Sequence, residues 1–448
     1  MRCQTLISAV YGELRGYHRL QIRRQVAANA RLSREQLMAA AEESFQNHVH
    51  RSIARFPFYA ERVKVHRGSL PGPGEHVHPE ELPVWTRADQ AEFFARQPRP
   101  RDSEYIHETG GSTGQVVRFH VTRESYEWRT AIMDRVYAWA GAEEGAHSLH
   151  VWGAGKKPRG SVHALKQIVQ RGLQRRTFFN ANQLCRDADR AACCELINRV
   201  KPAAIVGYTG ILVDLARFAR DHNALSWKAS TLISTAEALQ CGQRELLQAH
   251  LAREVFDSYG SREVMNMGSE CVMHSGYHMT VDNLRVEVVD EAGYPVPAGE
   301  TGRIVVTDFH NAATPFIRYE VGDMGVMAPP DATCLCGRPF PLLQRIEGRT
   351  QDIIYTPRGS VSALILQDTL ENFEWVEGYQ FVQESRGQLR IRLLTRATLS
   401  PERLAPLSRQ LREPLGETVV DFEQVRELSK RANGKVEVVI SSLTGTGD

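Results

Sequence analysis

An α/β fold, with a large layered N-terminal domain and a small C-terminal α+β lobe, is predicted by three observations. Between residues 203 and 259 short apolar runs alternate with helical patterns, the order expected of layered α/β units with a parallel component. Beyond Arg349 the pattern becomes βαββαβ plus a final strand, and about 95 residues suffice for a compact lobe. The 448 residues allow about three average domains, or one large and one smaller.

In chain order, residues 1 to about 60 carry Arg, Ala, Leu and Gln at helical spacing, with an N-cap at Ser33 and Gln36 at the third helical position. Pro71, Pro73, Pro79 and Pro83 mark an irregular crossing. Thr109-Gly110-Gly111-Ser112-Thr113-Gly114 is then the densest run of backbone N–H groups able to face a ligand. Glycine tolerates positive φ and adds no side chain, so such a run can curl around phosphate oxygens, with the hydroxyls as further donors. It lacks the Lys-Ser/Thr pair and following helix of an NTPase P-loop. Val117-Arg118-Phe119-His120-Val121 alternates like a strand, which leaves a plain inter-strand turn as the other reading.

Gly145 to Arg186 contains no acidic residue, while Lys156, Lys157, Arg159, Lys166, Arg171, Arg175, Arg176 and Arg186 add positive charge. Such a run is a solvated helix face or a docking surface for a polyanion, either cosubstrate phosphates or an acidic carrier helix. Strands follow at 203–208, 230–235 and 255–259, with helices at 211–220 and 243–251 between them. In the C-terminal part, strands are expected at 353–355, 379–383, 390–394, 419–422 and 436–440, with helices at Val361 to Phe373 and Pro401 to Leu415.

A formal charge of +2 with 24% charged residues argues against nucleic acid as a partner. No apolar run is long enough to span a membrane, and Glu13 and Arg15 interrupt the N-terminal apolar patch before a secretory segment is completed. Eight irregularly spaced cysteines fit a reducing compartment, so a cytoplasmic location is expected.

Four further segments join the glycine run: Tyr259-Gly260-Ser261-Arg262-Glu263, Arg318-Tyr319-Glu320-Val321-Gly322-Asp323, Gly348-Arg349-Thr350-Gln351-Asp352 and Asn433-Gly434-Lys435. In this order they resemble the adenylate-forming superfamily of acyl- and aryl-CoA ligases. Gly207-Tyr208, Ser234-Thr235-Ala236-Glu237, Glu270-Cys271, Gly276-Tyr277-His278 and Cys334-Leu335-Cys336-Gly337-Arg338 resemble its phenylacetate-CoA ligase branch and capsule-biosynthesis relatives. The resemblance covers nearly the whole chain.

It implies an ATP- and Mg²⁺-dependent ligase that converts a small carboxylic acid, by resemblance an aromatic one, to an acyl-adenylate and passes the acyl group to a thiol. Catalysis is then mostly positioning and charge neutralisation around phosphates. Residues 109–114 would hold the β- and γ-phosphates, Glu263 would ligate Mg²⁺, Asp323 the ribose hydroxyls, and Tyr259 would pack at the adenine beside Gly260 and Ser261. Arg349 matches a ribose- or phosphate-facing arginine, and Lys435 would meet the charge that shifts in the transition state. Asp352 matches the pivot of a mobile C-terminal lobe, dividing the chain into a domain at 1–348, a hinge at 349–352 and a lid at 353–448. Tyr208, Thr235, Ala236 and Phe119 are pocket-wall candidates.

The chain departs from that branch after Gly359, where Ser360-Val361-Ser362 stands in place of an aromatic-Pro pair. The acceptor therefore stays open between CoA, a carrier protein's phosphopantetheine and an amine, and a homodimer is neither implied nor excluded. A non-catalytic nucleotide- or acyl-binding scaffold is the alternative of another class, and keeping Glu263, Asp323 and Lys435 together speaks against it. Finally, Cys271-x6-His278 and Cys334-x-Cys336 are two short ligand pairs able to complete a structural Zn²⁺ site, with His274 as a substitute. Buried thiols beside an unrelated histidine are the other reading.

Overall fold

The computed structural model describes residues 18–97, 103–109, 117–142, 145–152, 175–181, 187–237, 242–349, 353–357, 359–363, 375–395, 398–429 and 437–441, with Leu184, Leu239, Leu366, Thr369, Leu370, Phe373 and Leu443. The lead-in is helical: α1 (Arg19–Asn29), α2 (Arg34–Arg55) and α3 (Pro57–Arg67). α2 starts at the expected cap. Ser33 Oγ accepts the Gln36 N–H at 3.2 Å, and the Ser33 N–H donates to Gln36 Oε1 at 3.0 Å. Its buried stripe of Leu37, Ala41, Phe45 and Val49 follows helical spacing onto the core. The proline-rich crossing holds only a short 3₁₀ turn at Pro79–Glu81 before α4 (Arg87–Arg96).

β1 (Ser103–Thr109) and β2 (Val117–Thr122) form an antiparallel hairpin with Thr109 opposite Val117, so the glycine run is its connection. Gly110, Gly111, Ser112, Thr113 and Gly114 lie outside the described residues, as does the side chain of Thr109. Thr122 then caps α5 (Arg123–Trp139), its hydroxyl accepting the Ser125 N–H at 3.1 Å.

The main sheet has two halves. The parallel half contains β3 (Ser148–Trp152), β4 (Arg176–Asn180), β5 (Ala204–Tyr208), β6 (Ala229–Thr235) and β7 (Ala252–Ser261). Its connections include α6 (Asp187–Val200), α7 (Thr209–His222) and α8 (Gln243–His250). The antiparallel half contains β8 (Met265–Ser269), β9 (Tyr277–Met279), β10 (Leu284–Val289), β11 (Thr301–Asp308), β12 (Tyr319–Met327) and β13 (Leu342–Arg349). Together they form one eleven-stranded sheet in the order β10-β11-β12-β13-β9-β8-β7-β6-β5-β3-β4. β7 is the seam, parallel to β6 and antiparallel to β8. The sequence pattern exposed β5, β6 and β7 of the parallel half but not β3 and β4; the antiparallel half was visible only as motifs. Of the basic run, 153–174, 182, 183, 185 and Arg186 lie outside the described residues, and Arg176 pairs with Asp134 at 3.0 Å.

The two largest apolar clusters of this domain lie one around α2, α5 and the antiparallel strands, the other around α6, α7 and the parallel strands. A separate cluster, including Ile354, Phe381, Ile391, Leu407 and Leu411, builds the C-terminal lobe. That lobe holds a hairpin of β14 (Ile353–Thr356) and β15 (Gly359–Ser362), then β16 (Gly378–Ser385), β17 (Gln388–Leu394), α9 (Pro401–Leu415), β18 (Val419–Val425) and β19 (Val439–Ser441). Its sheet runs β18-β17-β16-β19. The helix expected from Val361 starts later. Val361 pairs with Ile354 across the hairpin, a use of its β-branched backbone preference that the helical spacing concealed.

His48 and His150 are buried, and desolvation presses both imidazoles down to about 3. Their folded values lie below the unfolded 6.5, so the unfolded chain takes up these protons first as pH falls. The stability of keeping them neutral is complete above 6.5 and is lost below it, by up to about 1.4 kcal/mol per pH unit for each. The urea midpoint should therefore drop between pH 7.5 and 5; an unchanged midpoint would contradict this.

Candidate active site and metal centre

The seam strand β7 delivers the candidate nucleotide residues. Ligands of open α/β sheets bind outside the carboxyl ends of parallel strands, where the topology switches. β7 ends there with Tyr259, Gly260 and Ser261. The Tyr259 hydroxyl donates to Asp323 Oδ2 at 2.9 Å, which brings together two residues 64 positions apart. Asp323 lies opposite Arg349 across β12 and β13; the Arg349 side chain lies outside the described residues.

Gly260 is required by space, because a Cβ there would stand 2.0 Å from the Met265 carbonyl oxygen. The turn that follows buries Glu263 and Val264. Glu263 Oε1 accepts the Tyr319 hydroxyl at 3.2 Å, and no Arg or Lys pairs with this buried carboxylate among the described residues. Ser261 Oγ is buried and has no hydrogen-bond partner among the described residues. Lys435 and Asp352 lie outside the described residues.

Arg318, first residue of the Arg-Tyr-x-x-Gly-Asp motif, is a strut. It is fully buried, donates to the Leu82 carbonyl at 2.8 Å and to the Gly293 carbonyl, and pairs with Glu287 at 3.3 Å. It thereby fixes the start of β12, which carries Tyr319 and Asp323.

The pocket-wall candidates separate. Tyr208 ends β5, half-buried, with its ring centroid 4.7 Å from that of Trp152 at the end of β3. Thr235 ends β6, and Ala236 follows with a left-handed φ of 72°. The next residue, Glu237, accepts the Gly210 N–H at 2.9 Å and, through its carbonyl, the Thr209 hydroxyl at 2.8 Å. These bonds hold the β5 and β6 ends together. Phe119 is fully buried core, its ring 5.2 Å from that of Phe316, and offers no open wall. Trp152 was missed in the sequence, where a lone tryptophan before glycine carries no periodic signal.

Behind β7 lies a polar network that the sequence also concealed. Asp257 is buried, which pushes its carboxyl up to about 6, and accepts the Tyr277 hydroxyl at 2.7 Å. Glu270 accepts the Asp257 N–H at 2.8 Å, and Arg244 Nη2 donates to both of its carboxylate oxygens, at 2.9 and 3.0 Å. His274 Nδ1 stands 3.1 Å from Glu270 Oε2, so this histidine serves the network and is no substitute metal ligand.

The metal candidates converge. One donor atom from each of Cys271, His278, Cys334 and Cys336 lies within 4.8 Å of the others. Cys271 Sγ and Cys334 Sγ are 3.6 Å apart, and Cys336 Sγ and His278 Nε2 are 3.2 Å apart. A tetrahedron with Zn–S of about 2.3 Å has S–S edges of about 3.8 Å, so the thiol spacing suits zinc. Phe340 O lies 3.4 Å from His278 Nδ1, a contact that holds the ring with Nε2 toward the thiols.

Residues 353–442 match the family model of the CapK C-terminal domain. A phenylacetate-coenzyme A ligase of Aromatoleum evansii is 24% identical over 318 residues, 66% of this chain and 68% of that protein. Protein CapK of Staphylococcus aureus is 23% identical over 418 residues, 90% of this chain and 88% of its own. A 2-hydroxyisobutyryl-CoA ligase, solved in the postadenylation state with 2-HIB-AMP, superposes with a TM-score of 0.75 at 19% identity, covering 92% of this chain and 91% of that one. The chain is thus a relative of phenylacetate-CoA ligase and of CapK, and it has the fold of the adenylate-forming CoA ligases.

Proposed function

We propose that the chain is an AMP-forming acid–thiol ligase. The observation that carries this reading is the convergence at the β7 seam. The Tyr259–Asp323 pair and the buried Glu263, which accepts the Tyr319 hydroxyl, meet at the strand where the parallel half of the sheet turns antiparallel. The acid carboxylate attacks the α-phosphorus of ATP and pyrophosphate leaves. A thiol then attacks the acyl carbonyl and AMP leaves.

In this reading Thr109 to Gly114 cradle the outer phosphates through backbone N–H groups. Asp323, oriented by the Tyr259 hydroxyl, accepts the ribose hydroxyls. Glu263 fits Mg²⁺ because it is a buried carboxylate without a cationic partner among the described residues; the ion when bound would neutralise phosphate charge. The Tyr208–Trp152 rings favour an aromatic or otherwise flat apolar acid. The acceptor is the thiol of CoA or of a carrier's phosphopantetheine, reached after the lobe beyond 349–352 pivots at Asp352. Retention of thioester formation with CoA alone would separate the first acceptor from the second.

The Cys271, His278, Cys334 and Cys336 cluster holds structural zinc, since four protein ligands leave no open position. Protein purified without chelator should contain close to one zinc per chain. Cys334→Ser should lose the metal and melt several degrees lower. Zinc far below one equivalent in folded protein would overturn the assignment.

A further inference from the structure

The polar network behind β7 joins the metal candidates to the nucleotide candidates. Successive side chains of a strand point to opposite faces. In β9, His278 turns one way, with Nε2 3.2 Å from Cys336 Sγ, and Tyr277 turns the other, its hydroxyl donating to Asp257 Oδ2 at 2.7 Å. The Tyr277 ring also meets the Tyr259 ring edge-on, with centroids 6.3 Å apart. Glu270 and Cys271 divide in the same manner. The Glu270 carboxylate accepts the Asp257 N–H at 2.8 Å, while Cys271 Sγ lies 3.6 Å from Cys334 Sγ. Both residues that brace Asp257 are thus chain neighbours of metal candidates.

Asp257 passes the constraint on toward the seam. Its carboxylate accepts the Ser258 N–H at 3.0 Å and the Leu239 N–H, the latter from the segment that leaves β6. On the other side of the metal cluster, little apolar packing holds the chain. Cys334 and Cys336 lie between β12 and β13, outside helix and strand, and Leu335 between them is 90% exposed. Among the described residues, the one buried member of the apolar cluster there that is not a cysteine is Leu342.

We propose that Tyr277 is a positioning residue for the nucleotide, and that zinc at the four-residue cluster holds Tyr277 in place. This inference rests on the ligase and zinc readings above. Tyr277 acts through Asp257 and Tyr259, the second of which orients Asp323 for the ribose. Outer partners of this kind fix the groups that bind, and a site left loose by a missing partner binds more weakly. Metal and nucleotide are then linked, and the linkage is reciprocal: each tightens the binding of the other by the same factor.

The test uses the full zinc-loaded chain, with AMP binding read by calorimetry. Tyr277→Phe removes the hydroxyl and keeps the ring. It should retain its zinc and bind AMP about 3- to 10-fold more weakly, the loss expected for one hydrogen bond. By reciprocity, saturating AMP should raise the chelator concentration that strips half the zinc by a similar factor in wild type and leave it unchanged in Tyr277→Phe. A general loss of stability would instead change zinc retention equally with and without AMP. Unchanged AMP affinity in Tyr277→Phe, no protection of zinc by AMP in wild type, or equal protection in both proteins would overturn the inference and leave the ligase reading standing. Folded wild type without zinc would overturn it as well. Zinc-loaded wild type that binds neither AMP nor ATP would overturn the inference and the ligase reading together.

Discussion

Arg318→Ala is expected to cost the N-terminal domain about 3–5 kcal/mol, the range for removing one partner of a buried ion pair. The loss has three parts. The Leu82 and Gly293 carbonyls lose their donor, and Glu287, already pushed upward by burial, is left without its main compensating cation. Arg318→Lys should recover little, because one ammonium cannot span two carbonyls and a carboxylate from this position. Urea unfolding followed by far-UV circular dichroism reads the change. A shift below about 1 kcal/mol would mean that the domain closes around the gap, against the strut role.

Lys435→Ala has the largest expected effect on chemistry. It should lower adenylate formation on the order of 10²–10³-fold, as loss of one preorganised charge at a transition state does, while ATP affinity changes little. Thioester formation from separately supplied acyl-adenylate should survive if, as proposed, the lobe pivots at Asp352 and takes this lysine away for the second step. Stopped-flow pyrophosphate release and equilibrium ATP binding make the comparison. Unchanged pyrophosphate release would remove Lys435 from the first step.

What could be read in the sequence follows from the kind of signal each feature carries. Strands β5 to β7 were visible because apolar runs buried on both faces stand out between helices, and the cap at Ser33 because its chemistry is local. The four metal candidates were legible as two ligand pairs, yet only the pairing of β9 with β13 shows why they meet. Arg318 looked like part of a nucleotide motif. Its partners Leu82, Glu287 and Gly293 come from three distant segments, which no local pattern encodes. Phe119 was a pocket-wall candidate as readily as a packing residue, and its contact with Phe316, far along the chain, decides for packing. The β14–β15 hairpin was hidden because Val361 also fits the helical spacing that follows it.

Acid activation is tested most directly by carboxylate-dependent pyrophosphate release. The protein is incubated with ATP, Mg²⁺ and phenylacetate, benzoate, 2-hydroxyisobutyrate or straight-chain acids, with and without CoA. The expected result is release that requires an acid, strongest with a flat apolar one, and a matching thioester when CoA is present. Absence of release with every acid, from protein shown to be folded and to bind ATP, would contradict the assignment of the β7 seam as an adenylate-forming site.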